Sequence, residues 1–301
     1  MTDPHPKDNL RGIALMIAAM AGFALTDSFV KAASRDIPIG QILAISGVIG
    51  GLVFAMMTRA QGHAVFSREI LTWPVILRNG SEILGTICYV KALSLIDLST
   101  ASAILQATPL AVTFGAVLLL GERVHWRRWS AIAIGFAGVL IILRPGASSF
   151  DPDTLWAFFG MLALAMRDLA TRLVPSSMPT LRISTYGMTM LLPAGLIMLA
   201  FDQGPRAMNL LNWFQTFGFV GLGITGYWAI TAAMRVGDIS IVAPFRYSRI
   251  LFALLVGITV FGERPDFWTI FGATLTIAAG IYSFMRQRRA ASPLSSEAQA
   301  Q

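Results

Sequence analysis

The sequence predicts an all-α membrane protein in which ten transmembrane helices form two inverted five-helix repeats, a 5+5 bundle. Three observations support this prediction. The chain of 301 residues is 55% hydrophobic and only 13% charged, whereas soluble domains carry about 25% charged residues. Its apolar residues lie in blocks as long as a helix must be to cross a hydrocarbon core of about 30 Å. The chain also resembles itself when shifted by 141 residues, so that Asp27 falls on Asp168.

Ten apolar blocks follow one another, and each predicts one membrane-spanning helix. They cover residues 11–31, 38–58, 71–93, 98–120, 126–143, 154–173, 180–201, 210–234, 239–261 and 267–285. The first block could pass for a signal-peptide core, but no small-residue cleavage site follows it, so we interpret it as a helix. A membrane β-barrel needs alternating strands of about ten residues, and continuous apolar runs such as 207–234 lack that alternation.

The internal repeat is clearest around the fourth and ninth blocks. The matching pairs are Ala24 and Ala165, Pro38 and Pro179, Gly85 and Gly226, Ala92 and Ala233, Asp97 and Asp238, Ser99 and Ser240, and Gly121-Glu122-Arg123 and Gly262-Glu263-Arg264. Because a unit of five crossings ends on the side opposite to its start, the second copy must be inverted. Inverted repeats are the architecture of secondary transporters, which bind substrate near the membrane midplane.

The repeat divides the chain into four parts. We expect a cytoplasmic N-terminal tail at residues 1–10 and a first five-helix repeat at 11–145. The second, inverted repeat follows at 150–286, and residues 287–301 form a basic, disordered cytoplasmic tail.

The basic residues predict the orientation, because Lys and Arg concentrate in short cytoplasmic loops. With a cytoplasmic N-terminus, thirteen of the 23 Lys and Arg residues lie in cytoplasmic segments and six in outer loops. The other four, Arg78, Arg167, Arg246 and Arg249, lie inside spans. We therefore expect a multi-pass protein of the cytoplasmic (inner) membrane with both termini in the cytoplasm. The net charge of +7 then belongs to loops, which favours the lipid bilayer as partner and no nucleic acid.

Cysteine and histidine give no sign of a metal or redox site. Cys88 is the single cysteine and lies in an apolar block, which excludes an internal disulfide. His5, His63 and His125 are scattered over polar segments. We expect no metal and no cofactor. Because the sequence has no GxxxxGK[ST] phosphate loop, we expect no ATP hydrolysis either.

Two segments carry a family resemblance: LSLIDLSTASAILQATPLAVTFGAVLLLGER and MRVGDISIVAPFRYSRILFALLVGITVFGER. With the Gly- and Ala-rich span after each, they resemble the drug/metabolite transporter (DMT) superfamily, specifically its EamA-type ten-helix transporters. The resemblance covers essentially the whole chain. It implies a central cavity lined by the first, third and fourth helix of each half, and transport by alternating access. Substrates in the family range over amino acids, S-adenosylmethionine, riboflavin and exported metabolites.

The repeated residues around the fourth and ninth helices have simple structural interpretations. Asp97 and Asp238 precede helices, where a carboxylate caps free backbone N–H groups. Gly121 and Gly262 are typical of helix C-terminal caps, since glycine adopts the left-handed conformation freely.

The glutamates after these glycines lie at the unfavourable, negative end of a helix dipole. We expect Glu122 and Glu263 to pair with Arg123 and Arg264, or with another loop.

Ionisable residues inside a span are functional candidates, because a charge at the centre of a membrane helix costs about 2.5–3.5 kcal/mol. Arg78 and Glu82 are four residues apart and share a helix face, as do Arg246 and Arg249, three apart. Arg246 could instead extend its side chain to the cytoplasmic rim. The expected substrate-binding residues are Arg78, Glu82, Arg246, Tyr247, Arg249, Tyr227 and Trp228.

Glu82 and Arg249 are expected at the same depth. Each lies roughly 15 Å from the cytoplasmic start of its span, at 1.5 Å per residue. Because the third and ninth helices belong to opposite halves, we predict that the two side chains face one cavity and are counter-ions when it is empty.

Two further charged pairs are candidates for gating or coupling. Asp27 precedes Lys31 by four residues, and Asp168 precedes Arg172 by four. This acid-before-base spacing favours a salt bridge along each helix. The pairs are either gates at opposite mouths or charge pairs at helix ends, and the sequence leaves both interpretations open.

Together these features predict a secondary transporter of a small polar organic metabolite. Three arginines against one glutamate favour an anionic or planar, carbonyl-rich solute, and uptake of riboflavin or a similar nutrient is the first candidate. Export of amino acids or related metabolites is the alternative within transport. An integral-membrane enzyme acting on lipid is the alternative from another class, but it would need a metal cluster, an activated nucleophile or paired acids. A homodimer is left open.

Overall fold

A computed structural model describes residues 6–122, 125–175, 177–202, 204–236 and 238–297. Every regular element in these ranges is helical. The ends of both tails, residues 1–5 and 298–301, lie outside the described residues, as does Arg123, an expected partner of Glu122.

Thirteen α-helices follow one another in the described ranges. They are α1 (Pro6–Ala33), α2 (Ile39–Ala60), α3 (Trp73–Leu95), α4 (Leu98–Leu105), α5 (Thr108–Leu120), α6 (Trp126–Leu143), α7 (Thr154–Arg172), α8 (Thr180–Thr189), α9 (Leu191–Ala200), α10 (Leu210–Val236), α11 (Ile239–Val242), α12 (Arg249–Phe261) and α13 (Phe267–Glu297). Two 3₁₀ turns, Arg68–Leu71 and Ala243–Ser248, precede α3 and α12.

The first and last helices extend beyond the apolar blocks. Helix α1 begins at Pro6, because a proline in the first turn leaves no N–H unpaired and Asp8 meets the positive end of the dipole. Helix α13 continues to Glu297, since residues 286–291 are Arg, Gln and Ala, which have high helix propensity.

Eight segments are long and apolar enough to cross a membrane, by length and composition: residues 8–33, 39–60, 98–120, 126–143, 180–200, 210–234, 243–261 and 267–285. The chain is therefore an integral membrane protein. Helices α3 and α7 are not among the eight because ionisable side chains interrupt them. Those side chains are Arg78, Glu82 and Lys91 in α3, and Arg167, Asp168 and Arg172 in α7.

Three of the apolar segments are broken near their middle, each beside a proline. Pro109 follows the break between α4 and α5, Pro193 the break between α8 and α9, and Pro244 lies in the 3₁₀ turn before α12. Proline has no N–H to donate four residues back. At the first break the Thr108 hydroxyl donates to the Leu105 carbonyl at 2.6 Å instead. Irregular backbone at this depth is tolerated where protein or a cavity surrounds it.

The two halves of the chain are interleaved. Helix α1 packs on α10, α3 on α7, α6 on α13, and α2 on both α8 and α9. The first segment of each half thus packs against the third segment of the other, the second against the second, and the fifth against the fifth. This two-fold pattern is the one that an inverted repeat predicts.

Gly47 permits the close approach of α2 to α9. A Cβ at Gly47 would lie 2.3 Å from the backbone nitrogen of Leu192, whereas a Cβ at Gly221 would meet nothing within 4 Å. We expect Gly47→Ala to cost about 1–3 kcal/mol, as overpacking does, and to lower the unfolding midpoint in detergent by several degrees. Gly221→Ala is the matched control and should leave the midpoint unchanged or raise it slightly, because alanine favours helix. Equal midpoints for the two variants would contradict the close packing.

The glycine caps are confirmed. Gly121 and Gly262 end α5 and α12 in the left-handed conformation, both with φ of 67°. The prediction that the Asp97 side chain caps α4 is wrong. Asp97 occupies the N-cap position of α4, but its side chain makes no hydrogen bond to the helix. A glutamate from the other half of the chain takes that role, as described below.

Candidate functional site

An aspartate, a tyrosine and an arginine from three helices meet inside the bundle. The Arg249 Nη2 group donates to Asp27 Oδ2 at 2.6 Å, and the Tyr89 hydroxyl donates to the same oxygen at 3.0 Å. Asp27 lies on α1, Tyr89 on α3, and Arg249 begins α12 after the 3₁₀ turn. The guanidinium also lies 5.6 Å from the ring centroid of Phe23. This buried ion pair therefore joins the first half of the chain to the second.

The partners of this pair correct two predictions. Arg249 pairs with Asp27 rather than with Glu82, and Asp27 pairs with Arg249 rather than with Lys31. Depth along the axis was a poor guide because it does not give the rotation of a helix, and α3 turns Glu82 toward α7 instead. The buried carboxylate on α1 consequently takes a cation from the other half of the chain, not from its own helix.

A second charged cluster surrounds Glu82, between α3 and α7. Glu82 Oε2 lies 3.1 Å from Arg78 Nη2, and Glu82 Oε1 lies 3.1 Å from Arg167 Nη1. Arg167 also pairs with Asp168 at 2.7 Å, and Arg78 Nη1 donates to Asn79 Oδ1 at 3.0 Å. The shared face of Arg78 and Glu82 is confirmed. Arg167 was not among the expected site residues, although its place inside a span was a signal for it.

The expected pair of Asp168 with Arg172 is also wrong. Asp168 pairs with the neighbouring Arg167, whereas Arg172 reaches Glu122 at 3.3 Å. Arg172 is the last residue of α7, and there a carboxylate from the other half of the chain is within its reach.

The two clusters balance their charges. Their ionisable members are Arg78, Arg167 and Arg249 with Asp27, Glu82 and Asp168. The excess of positive charge expected from the sequence is therefore absent from these clusters. Even so, the Nε atoms of Arg78 and Arg249 are buried and have no hydrogen-bond partner in the part of the chain that the structure describes.

Two expected site residues do not join these clusters. Arg246 is exposed and takes no part in the ion pairs of either cluster. Tyr247 is buried with its ring against Gly280 of α13, where a Cβ would lie 1.8 Å from the hydroxyl oxygen. Its carbonyl accepts from Gln106 Nε2 at 3.0 Å. Neither side chain takes part in the ion pair of Arg249 with Asp27, although both are close to Arg249 in the sequence.

A cavity of about 490 Å³ lies between α2, α8 and α10. Tyr227 and Trp228, both expected at the site, line it. The Tyr227 and Ser184 hydroxyl oxygens are 2.5 Å apart, and Phe54 packs edge-on against Tyr227 with ring centroids 5.3 Å apart. The other lining residues are Met57, Gln61, His63, Pro179, Thr180, Leu181, Ile224, Thr231 and Ala232. Its walls are therefore aromatic and aliphatic, with several hydroxyl groups.

The cavity and the second charged cluster share helix α8. The guanidinium of Arg78 lies against Gly187, where a Cβ would come within 2.6 Å of Nη2. Ser184, which lines the cavity, lies one turn earlier on α8. A solute in the cavity would therefore lie close to the Arg78–Glu82 pair.

The cavity reaches only one end of the bundle. His63, in the loop after α2, and Pro179, just before α8, line it and lie at the end where α5 finishes at Gly121. We call this the Glu122 end. The opposite end, where α4 begins, is the Lys31 end.

At the Lys31 end, Glu263 caps α4 from the other half of the chain. Its carboxylate accepts from the backbone N–H groups of Leu98 at 2.6 Å and Ser99 at 3.1 Å, and from the Ser99 hydroxyl at 2.8 Å. Lys31 Nζ lies 3.7 Å from Glu263 Oε1. Of the two alternatives predicted for Glu263, a partner outside its own loop is therefore confirmed, and the adjacent Arg264 is not the partner. Partial desolvation and the nearby Glu263 carboxylate raise the pKa of Asp97.

No group of three His, Cys, Asp or Glu side chains that could hold a metal ion occurs among the described residues. Cys88 is buried and free.

Known proteins with similar sequences are transporters. The chain is 27% identical over 282 residues to a riboflavin transporter of Vibrio cholerae, covering 91% of each chain. It is 26% identical to an S-adenosylmethionine uptake transporter of Rickettsia bellii, over 72% of this chain and 74% of that protein. It is also 26% identical to a pseudopaline exporter of Pseudomonas aeruginosa, over 90% of this chain and 94% of that protein. A transporter rather than a membrane enzyme is therefore confirmed.

The fold and the repeat have matches as well. One crystal structure of a protein superposes on 95% of this chain and 99% of its own, with a TM-score of 0.58 at 19% identity, which shows the fold alone. The family model of EamA-like transporters matches twice, at residues 10–144 and 153–285, and so covers both repeats. The resemblance to the DMT superfamily is thereby confirmed, and the chain belongs to the EamA-like transporter family.

Proposed function

We propose that this protein is a secondary active transporter that moves a small polar organic metabolite across the cytoplasmic membrane by alternating access. The observation that carries the proposal is the cavity between α2, α8 and α10, which reaches the Glu122 end while Glu263 and Lys31 join the halves at the other end. The interleaved, inverted halves support it, since each half supplies one copy of the same elements.

We also propose ten membrane crossings. Helices α3 and α7 have 23 and 19 residues, enough to span, and their charges at Glu82 and Arg167 pair with each other inside the protein. Counting both gives an even number of crossings, so both termini lie on one side. The charge bias of the loops favours the cytoplasm for them, and the Lys31 end then faces outward.

Cysteine labelling tests this topology. On a Cys88→Ser background, we expect Ser148→Cys, in the loop between α6 and α7, to react with an impermeant maleimide added outside intact cells. Gln301→Cys should react only after the membrane is permeabilised. Labelling of Gln301→Cys in intact cells would contradict the proposed orientation.

Riboflavin or a similar planar nutrient, taken up into the cell, is the first substrate candidate. The cavity offers Tyr227, Trp228 and Phe54 as flat surfaces and the hydroxyls of Ser184 and Thr231 as hydrogen-bonding groups. A planar, carbonyl-rich ring system with a hydroxylated chain matches both features. The similarity to the Vibrio cholerae riboflavin transporter over most of both chains supports the same choice.

Export of an amino-acid-like metabolite is the second candidate. It is favoured by the balanced clusters, which offer both charge signs to a zwitterion. The similarity to the pseudopaline exporter supports it as well.

Counterflow in proteoliposomes separates the candidates, because exchange needs binding and alternation but neither a known direction nor a driving ion. Vesicles preloaded with unlabelled riboflavin should accumulate labelled riboflavin, and preloaded amino acids should not drive this accumulation. Trp228→Ala should weaken the riboflavin signal, whereas Trp213→Ala, an exposed tryptophan of α10 that does not line the cavity, is the matched control. Counterflow with amino acids alone would select the second candidate.

A further inference from the structure

We propose that Glu263 with Lys31, and Glu122 with Arg172, are two equivalent gates at opposite ends of the bundle that close alternately. The inference rests on the proposed alternating access and assigns its gates to particular residues. A purely structural helix cap would not explain why a Glu with a basic partner joins the halves at both ends of the bundle, with different exposure at each end.

The gate at the Lys31 end is closed by polar contacts between the halves. The Glu263 side chain is 3% exposed and takes three hydrogen bonds from the first turn of α4. Lys31 Nζ also joins α1 to the end of α3, since it donates to the carbonyls of Leu93 at 3.3 Å and Ile96 at 2.5 Å. The end of α12 is thereby fixed to the ends of α1 and α3 and to the start of α4.

The hydrogen bonds of Glu263 and its ion pair with Lys31 are polar, so they would be exchanged for bonds to water when this end opens. Glu263 is held in a tight slot, since a Cβ at Gly257 would lie 2.3 Å from its Oε2. The carboxylate is thus closely packed against its own helix while it is seated against α4, and the proposed gate opens when this carboxylate leaves α4.

The repeat supplies a second copy of this device. A shift of 141 residues relates Lys31 to Arg172 and Glu122 to Glu263. Segment 98–120 separates the two copies by roughly 30 Å at 1.5 Å per residue. The second copy also joins the halves, since Arg172 Nη1 lies 3.3 Å from Glu122 Oε1.

The two copies are in different states. Glu122 and Arg172 have side chains that are 42% and 46% exposed, against 3% and 13% for Glu263 and Lys31. The cavity reaches the end where the exposed copy lies. Both pairs are formed in this structure, but the Glu263–Lys31 pair is buried, whereas the Glu122–Arg172 pair is solvated at the end that the cavity reaches. In the opposite state Glu122 becomes buried and Glu263 exposed.

The test measures accessibility at the closed end. Ser102 is fully buried on α4, one turn beyond Ser99, so Ser102→Cys on a Cys88→Ser background reports opening of the Lys31 end to an impermeant thiol reagent added there. Glu263→Gln should raise its labelling rate roughly tenfold, the effect of removing about 1.4 kcal/mol from one of two states. Lys31→Gln acts on the same gate from the other half and should also raise it.

A variant of the second gate distinguishes alternating gates from a purely structural contact. Glu122→Gln should lower the Ser102→Cys labelling rate, because it weakens the gate that must close when the Lys31 end opens. The double variant Glu122→Gln/Glu263→Gln should return the rate toward its starting value. Asp151→Asn is the matched control, since Asp151 is exposed in the loop at the same end of the bundle, and its Oδ1 accepts from the backbone N–H of Asp153 within that loop. It should leave the rate unchanged.

Failure of the gates differs from failure of the transport proposal. Unchanged labelling in the Glu263 and Lys31 variants, with intact counterflow, would overturn the gates and leave alternating access standing. A rise in labelling with Glu122→Gln would also overturn them. Absence of counterflow with every solute would instead contradict the proposed function, whatever the labelling shows.

Discussion

Replacing Arg249 with glutamine is expected to reduce counterflow about 100-fold or more and to destabilise the protein. Arg249 provides the charged partner of Asp27, which is only 6% exposed. Removing one member of a buried ion pair leaves the other uncompensated, at a typical cost of about 3–5 kcal/mol. The contact also joins α12 to α1 and α3, so its loss disturbs the interface between the two halves. Initial rates in proteoliposomes and the unfolding midpoint in detergent measure the two effects.

Arg246→Gln is the matched control for this variant. It removes the same charge three residues earlier, from a side chain that is exposed, so both transport and the midpoint should be close to those of the unmodified protein. The double variant Asp27→Asn/Arg249→Gln should recover the midpoint, because it leaves no buried charge, but not the transport rate. A normal rate for Arg249→Gln, or equal losses in both arginine variants, would contradict the role given to this pair.

The sequence predicted the helices and their repeat but not the ionic partners. Helix positions follow from apolar length, and the cap at Gly262 follows from a local preference for the left-handed conformation. The partners of Asp27, Glu122 and Glu263 come from the opposite half of the chain. Spacing along one helix favours neighbours four residues away, so it assigned Lys31 to Asp27.

Among the local pairings that the described residues test, that of Arg78 with Glu82 holds. Arg78 and Glu82 remain together because both lie on the face of α3 that packs on α7, where Arg167 adds a second cation. The repeat did indicate the two glutamates of the proposed gates, because a Gly-Glu pair that occurs twice at inverted positions suggests a shared role. The hydrogen bonds of Glu263 to the start of α4 could not be predicted, because they depend on how the start of α4 packs against the end of α12 in the other half of the chain.

Glu82→Gln is expected to have the second large effect, because one carboxylate holds two arginines. Its Oε1 and Oε2 each lie 3.1 Å from a different guanidinium, and its side chain is only 11% exposed. Without this negative charge Arg78 and Arg167 repel each other across the contact between α3 and α7. Arg167 still pairs with Asp168 at 2.7 Å, so Arg78 is the arginine that loses its carboxylate partner. Arg78 lies against α8 beside the cavity. We expect a loss of transport of about 100-fold, consistent with about 3 kcal/mol for an uncompensated buried charge.

Two companion variants separate charge balance from general damage. Asp168→Asn removes a carboxylate from the same cluster, but its side chain is 33% exposed and Glu82 still holds Arg167, so the transport rate should fall by less than about tenfold. Arg78→Gln/Glu82→Gln leaves Arg167 with Asp168 and no unpaired arginine, and should therefore unfold at a higher temperature than Glu82→Gln alone. If the double variant were less stable than Glu82→Gln, the repulsion between Arg78 and Arg167 would not be the cause of the loss, and packing of the Glu82 side chain between α3 and α7 would have to explain it.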